Sequence, residues 1–191
     1  YLPKDISVLW VRDVPESFHA RFSARRRRYR YVIYPDPIRP ALLSDGITWT
    51  HKELDLGTMN QAAQCLLGTH DFSSFRAAEC QAKSPVKTLD GIRISRHGRF
   101  VVLDVRASAF LHHMVRNIAG TLLKIGAGEK PPSWMREVLE ARRREVAGAT
   151  APPYGLYLVQ VEYPAEFDLP NGPLGPLFLS AMPDVFAEDT A

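Results

Sequence analysis

The sequence predicts an α+β fold of ferredoxin-like order, on three observations. From Tyr29 onward, segments of strand and helix character run as strand, helix, strand, strand, helix with a further helix, and strand, which is the split βαβ arrangement. Phe110 to Gly126 places Leu111, Met114, Val115, Ile118, Leu122 and Ile125 at helical spacing, an apolar stripe that must face a core. The 191 residues, 46% apolar and 24% charged, suffice for one good core or two small ones and lack the composition of a disordered chain.

In chain order, Ile6 to Val11 is apolar on both faces and is expected to be a strand, ended by Asp13 and Pro15, whose neighbour lies upstream. The first residue is Tyr1 and not Met, so the chain is expected to be the later part of a longer one. Tyr29, Tyr31 and Ile33 alternate with Arg28, Arg30 and Val32 in a two-sided strand that Pro35 and Pro37 stop. Loop is expected to Lys52, then a helix capped by Asp55 with Leu56, Met59, Ala63 and Leu66 inward, ended by Gly68. A loop from Thr69 to Ser84 leads to two strands, Val86 to Arg96 and Arg99 to Ala107, joined as a hairpin at His97-Gly98. Ser108 is expected to cap the long helix. Pro131-Pro132-Ser133 opens another, with Trp134, Val138 and Leu139 on one side, and Leu156 to Tyr163 is the closing strand. This divides the chain into 1–24, a strand and linker; 25–163, the ferredoxin-like part; and 164–191, a Pro- and Gly-rich tail with an acidic end, expected to drape or fray.

A net charge of +3 decides little, but six of the ten residues from Arg21 to Arg30 are arginine, and local basicity decides more. Cys65 and Cys80 lack metal-ligand spacing and read as small buried or semi-buried residues of a reducing compartment. No run is long enough to span a membrane and no leader precedes Tyr1, so a cytoplasmic protein is expected. GxGxxG after a strand, GxxxxGK[ST], HExxH and GxSxG are all missing, which leaves nucleotide cofactors, zinc hydrolysis and a serine nucleophile without a foothold. Gly98 to Leu103 faintly matches an RNA-recognition signature but has Arg99 and Leu103 where stacking rings belong, and reads as an ordinary core hairpin. His112, His113, Arg116, Asn117 and Lys124 form the polar stripe of the long helix, which by pattern alone is a solvated face.

Four motifs in one order carry a family resemblance: FHARFSA with RRYRYVIY (18–24 and 27–34), HDFSSFR (70–76), FLHHMVRNIAGTL (110–122) and GLYLVQVEYP (155–164). Together they resemble the TruA family of tRNA pseudouridine synthases, from Tyr1 to about Leu179. The resemblance implies the pseudouridine synthase fold with a mostly antiparallel sheet, and isomerisation of uridine to pseudouridine at nucleotides 38 to 40 of the tRNA anticodon stem-loop. It also implies a cytoplasmic homodimer that binds tRNA and needs no cofactor.

Carried over position by position, Tyr29 matches the family's active-site tyrosine, which binds the flipped base, and Arg116 the arginine that pairs with the catalytic aspartate. That aspartate belongs to an Arg-Thr-Asp-Ala-Gly motif found nowhere in these residues, and none of Asp71, Asp90 or Asp104 stands in its context. The chain alone is therefore expected to be inactive. Arg21, Arg25, Arg26, Arg27 and Arg28 are candidates for contact with tRNA phosphate. His112 and His113 could touch phosphate or serve only the helix start, and Tyr31 reads as a core ring. A catalytically empty RNA-binding or dimerisation module of the same fold is the alternative.

Overall fold

The strand β1 (Arg26–Pro35) is the spine of the sheet. Along one edge it pairs antiparallel with β5 (Phe100–Ala107). Its other edge is shared: β6 (Leu156–Glu162) pairs antiparallel with its first half, and the short β2 (Thr48–Thr50) pairs parallel with its end. Beyond β5 come β4 (Val86–His97) and β3 (Gly68–Asp71), both antiparallel. This computed structural model describes residues 1–187, and the six-stranded sheet has the order β2-β1-β5-β4-β3 with β6 beside β1. The fold is α+β with a mostly antiparallel sheet.

Strand alternation decides what each face holds. Tyr31, Ile33, Leu103, Val105, Ile92 and Ile94 point to one side and join a core with α1 (Leu56–Ala63), α2 (Met114–Gly126) and α3 (Trp134–Ala141). From α2 this core takes Met114, Val115, Ile118, Leu122 and Ile125, the stripe read from the sequence. The opposite face carries Val32, Tyr34 and Val102, a smaller core closed by Leu179 and Met182 of the C-terminal segment. Asp55 caps α1 as expected, its carboxylate accepting from the Thr58 amide at 3.0 Å.

Several expectations need correction. Ile6 to Val11 is not a strand: the first 25 residues have no helix or strand, and Leu9 and Val11 are 86% and 87% exposed. Strand propensity is realised only when a neighbour takes up the backbone groups, and none of the described residues offers this segment a ladder. Ser108 is not the cap of α2. It continues the β4–β5 pairing, with its amide on the Thr88 carbonyl at 2.9 Å and its hydroxyl accepting from the Thr88 amide at 3.2 Å. The helix starts at Met114, three residues into the apolar stripe, because His113 takes a left-handed conformation (φ 59°). The expected loops contain β2 and β3, whose polar residues are held by neighbouring strands and show no hydrophobic period of their own.

The C-terminal segment lies along the sheet through Phe167, Leu179, Met182 and Phe186, all buried. The acidic end, Glu188 to Ala191, lies outside the described residues.

Candidate active site

Of the sequence-derived candidates, Tyr29 packs against the helix-covered core, and His112, His113 and Arg116 lie at the start of α2. Tyr29 is half-buried and meets Phe110 edge to face, with ring centroids 5.1 Å apart at 88°. The pairing of β1 with β6 slips between Arg28 and Tyr29, an irregularity of the kind that re-aims a side chain. Among the described residues the Tyr29 hydroxyl has no hydrogen-bond partner. Burial raises its pKa and the nearby positive charge of Arg27 works the other way, so the phenol is neutral at physiological pH.

Arg116 is the third residue of α2. Its Nε donates to the Ala151 carbonyl at 2.7 Å, while the Ala151 amide donates to the Arg116 carbonyl at 3.2 Å. These bonds tie one edge of the guanidinium to the segment before β6. Both Nη groups keep their N–H donors free of protein partners among the described residues, and no carboxylate there pairs with this arginine. Its positive charge works to lower the pKa values of Tyr31 and His113, so the guanidinium lies near these two residues.

His112 and His113 lie just before α2 with their rings 3.9 Å apart and 31° from parallel. Their backbones are engaged: the His112 carbonyl accepts from the Ala77 amide at 3.1 Å, its amide donates to Cys80 Sγ at 3.3 Å, and the His113 carbonyl accepts from Asn117. Burial lowers the His113 pKa, and Arg116 and His112 lower it further, so that ring is mostly neutral near pH 7. Neither imidazole caps the helix, since the first turn has no side-chain cap.

The basic run divides by strand parity. Arg28 is a correction: its side chain is buried on the opposite face, with Nε and Nη2 on Asp104 at 2.7 and 2.9 Å and Nη1 on Asp184 at 2.8 Å. Each of its nitrogens is paired with a carboxylate and its side chain is closed off from solvent, so it does not reach a phosphate. Arg30, which was not among the candidates, is fully buried beside it, with Nε on the same Asp104 at 3.0 Å. Arg27 spends its fork on the carbonyls of Ala24, Ser108 and Arg21 and so fastens the chain entering β1. Arg26 is half-exposed between Asp90 and Glu162. Arg21 and Arg25 are exposed; Arg21 lies over the Phe22 ring, and the Arg25 side chain has no partner among the described residues.

Tyr31 is the core ring expected of it. Its hydroxyl meets Thr48 Oγ1 at 2.5 Å and donates to the Pro152 carbonyl at 2.8 Å, and burial pushes its pKa up to about 12. Sequence reasoning missed Phe110 as the ring against Tyr29, although it opens the quoted motif, and missed the Ala151 carbonyl, which leaves no side-chain signal. It also placed Asn117 on a polar stripe, whereas that residue is fully buried.

Cys65 is half-buried, Cys80 is buried and both are free thiols. Among the described residues no group of three His, Cys, Asp or Glu side chains is placed to hold a metal, and no helix is long and apolar enough to cross a membrane. A cavity of about 390 Å³ at the far end of β1, lined by Tyr34, Leu43, Phe100 and Phe178 among others, shares no residue with the site.

Comparison with known proteins gives this arrangement its class. The family model described as tRNA pseudouridine synthase matches residues 62–164. The relative called tRNA pseudouridine synthase A in Pseudomonas aeruginosa is 65% identical over 184 residues, covering 96% of this chain and 65% of that protein. Those of Cronobacter sakazakii and Vibrio parahaemolyticus are 57% and 55% identical over 179 and 178 residues, covering 94% and 93% of this chain and 66% and 67% of theirs. The chain belongs to the tRNA pseudouridine synthase family. It spans about two thirds of the length of the curated relatives it matches.

Proposed function

We propose that this chain supplies the base-binding and carboxylate-orienting side of a tRNA pseudouridine synthase site, acting on uridine at nucleotides 38 to 40 of the anticodon stem-loop. The observation that carries the reading is Arg116, fixed along one edge by Ala151 and presenting two unspent Nη groups near Tyr31, whose side chain packs in the same helix-covered core as Tyr29. The names of the curated relatives support the substrate class. The strand order β6-β1-β5-β4, all antiparallel, supports reading residues 25–163 as the ferredoxin-like half of a pseudouridine synthase fold, with 1–24 and 164–191 as flanking segments. A cytoplasmic, cofactor-free homodimer completes the proposal.

The isomerisation breaks the bond from ribose C1′ to uracil N1, rotates the freed base and joins C5 to C1′; the C5 proton leaves and N1 gains one. A carboxylate nucleophile must attack while ionised. Near a buried site it would tend to take up a proton, and a guanidinium within about 4 to 6 Å opposes this and aims it. Arg116 has that role here. Its carboxylate is the aspartate of the family motif, which is not among these 191 residues. Tyr29 stacks on the flipped base, where an aromatic ring returns about 1 to 3 kcal/mol of the unstacking cost. Its neutral phenol, without a protein partner, is free to meet the base and to help remove the C5 proton. Arg21, Arg25 and Arg26 face tRNA phosphates, with His112 and His113 at the rim of the same site.

The deciding experiment is single-turnover formation of pseudouridine by the full-length gene product on an anticodon stem-loop. Tyr29→Phe is expected to bind RNA normally and to slow the chemical step by about two to four powers of ten, and Tyr29→Leu to lose binding as well. A Tyr29→Phe rate within a few fold of wild type would reduce the tyrosine to a stacking surface. Residues 1–191 assayed alone are expected to form no pseudouridine; product from them would place the nucleophile among the carboxylates present.

A further inference from the structure

The segment joining α3 to β6 lies unusually close to α2. A Cβ added at Gly120 would stand 1.9 Å from the Ala149 carbonyl oxygen, and one at Gly148 would stand 2.7 Å from the Gly120 backbone, so both positions admit only glycine at this separation. The close approach is secured by polar bonds on both sides. Toward α2, Gly148 N donates to Thr121 Oγ1 at 3.1 Å, and Thr150 Oγ1 donates to Asn117 Oδ1 at 2.7 Å. Arg144 Nη2 closes the triangle, reaching Thr150 Oγ1 at 2.9 Å and Asn117 Oδ1 at 3.1 Å. Asn117 Nδ2 donates to the Phe75 carbonyl at 2.8 Å, so this buried amide is tied to the neighbouring turn as well. Toward the sheet, the carbonyls of Pro152 and Tyr154 accept from the hydroxyls of Tyr31 and Thr48 at 2.8 and 2.5 Å.

Between these two sets of bonds lies Ala151, whose carbonyl holds Arg116 Nε. A guanidinium is planar, so fixing Nε fixes the line along which the two Nη groups point. The position of that carbonyl therefore decides where the fork is aimed, and the triangle of Thr150, Asn117 and Arg144, with the sheet-side bonds and the Ala151 amide on the Arg116 carbonyl, fixes the position of the carbonyl. We infer that Thr150, Asn117 and Arg144 are positioning residues for Arg116, holding the 148–152 segment on α2 so that the guanidinium meets its carboxylate in one orientation. The inference rests on the reading of Arg116 given above.

Thr150 offers the clean test, because it is exposed and its hydroxyl can be deleted without loss of shape. In the full-length gene product Thr150→Val is expected to lower kcat on an anticodon stem-loop by about ten- to a hundredfold, the scale of a misplacement near 1 Å. KM should stay within about threefold of wild type, as fits an interaction used only in the transition state. Its Tm should stay within about 2 °C, as for other exposed substitutions. Thr150→Ser, which restores the hydroxyl, should recover kcat. Thr150→Val combined with Arg116→Lys should be no slower than Arg116→Lys alone, since both act through one group. Wild-type kcat in Thr150→Val, or a loss that falls with Tm and is not recovered by serine, overturns the inference. If Arg116→Lys is slow while Thr150→Val is not, this inference alone fails. If Arg116→Lys itself turns over normally, the reading of Arg116 fails and takes the inference with it.

Discussion

The two faces of β1 treat arginine in opposite ways. On the face covered by the C-terminal segment, Arg28 and Arg30 share one buried carboxylate, Asp104, with Asp184 added from the tail, and Arg28 lies 4.6 Å from the centre of the Phe186 ring. On the helix-covered face, Arg116 is held by a single carbonyl and keeps its fork free. The first arrangement gives every guanidinium nitrogen of the pair a protein partner except Arg30 Nη2. The second fixes direction and leaves donors unspent. An arginine is thus a structural or a reactive element according to how many of its nitrogens the fold has already claimed.

The sharpest way to break this contrast is to remove the shared carboxylate. Asp104→Ala leaves two buried guanidinium groups facing one another, and loss of one partner from a buried ion network costs about 3 to 5 kcal/mol. Urea unfolding of the purified chain should show that loss or fail to yield a folded protein; a change below about 1 kcal/mol would mean that the network is dispensable. Arg116→Lys should do the reverse. Stability should change by less than about 0.5 kcal/mol, as is usual for a residue outside the core network. Turnover of the full-length gene product should fall about a hundredfold, because lysine keeps the charge and gives up the planar fork. Equal turnover in Arg116→Lys would return Arg116 to the class of solvated helix residues.

The smallest effect belongs to Asp184, whose side chain is 42% exposed. Burial pushes its carboxyl pKa up, but the hydrogen bond and charge of Arg28 and the Phe186 amide outweigh this and hold it below the ordinary value of 3.8. A carboxylate with a depressed folded pKa contributes stability above its unfolded pKa and loses it as pH falls through the folded value. Asp184→Asn should therefore cost about 1 kcal/mol or less at pH 7, given its exposure. The gap between wild type and variant in urea unfolding should close as the pH is lowered below about 4. A gap that persists in acid would assign the effect to packing against the sheet instead of charge.

The elements with a strong hydrophobic period were legible in the sequence: Met114 to Ile125, Val101 to Val105 and the two-sided Tyr29 to Tyr34 all took the predicted form. Parity even showed that Arg28 and Arg30 share a face. It could not show that Asp104 stands opposite Arg30, because that depends on the β1–β5 register across 74 residues of chain. Four arginines in a row therefore read as one basic surface, although the fold divides them between two faces. Ile6 to Val11 failed for a related reason, since propensity describes a strand's fitness for a sheet and not the presence of its neighbour. At the candidate site, Tyr29 and Arg116 were found through motif resemblance. Spacing alone gave a core ring and a solvated helix face. The Ala151 carbonyl could not be found at all, because a backbone acceptor has no letter in the sequence.

The contact between Arg28 and Asp184 also sets a chronology for folding. β1 leaves the ribosome long before residues 175 to 186, with its back face carrying two arginines that Asp104 must serve until those residues arrive. Chains fold progressively as they are made, and long-range contacts form late because a long loop must close first. The sheet can therefore assemble around its helices well before its second face is neutral, and that face stays hydrated and open until residues 179 to 186 dock. Residues 179 to 186 then close this face of the sheet. A ribosome that stops near residue 175 would release a domain whose helix-covered core is complete but whose β1 still holds an arginine pair open to water.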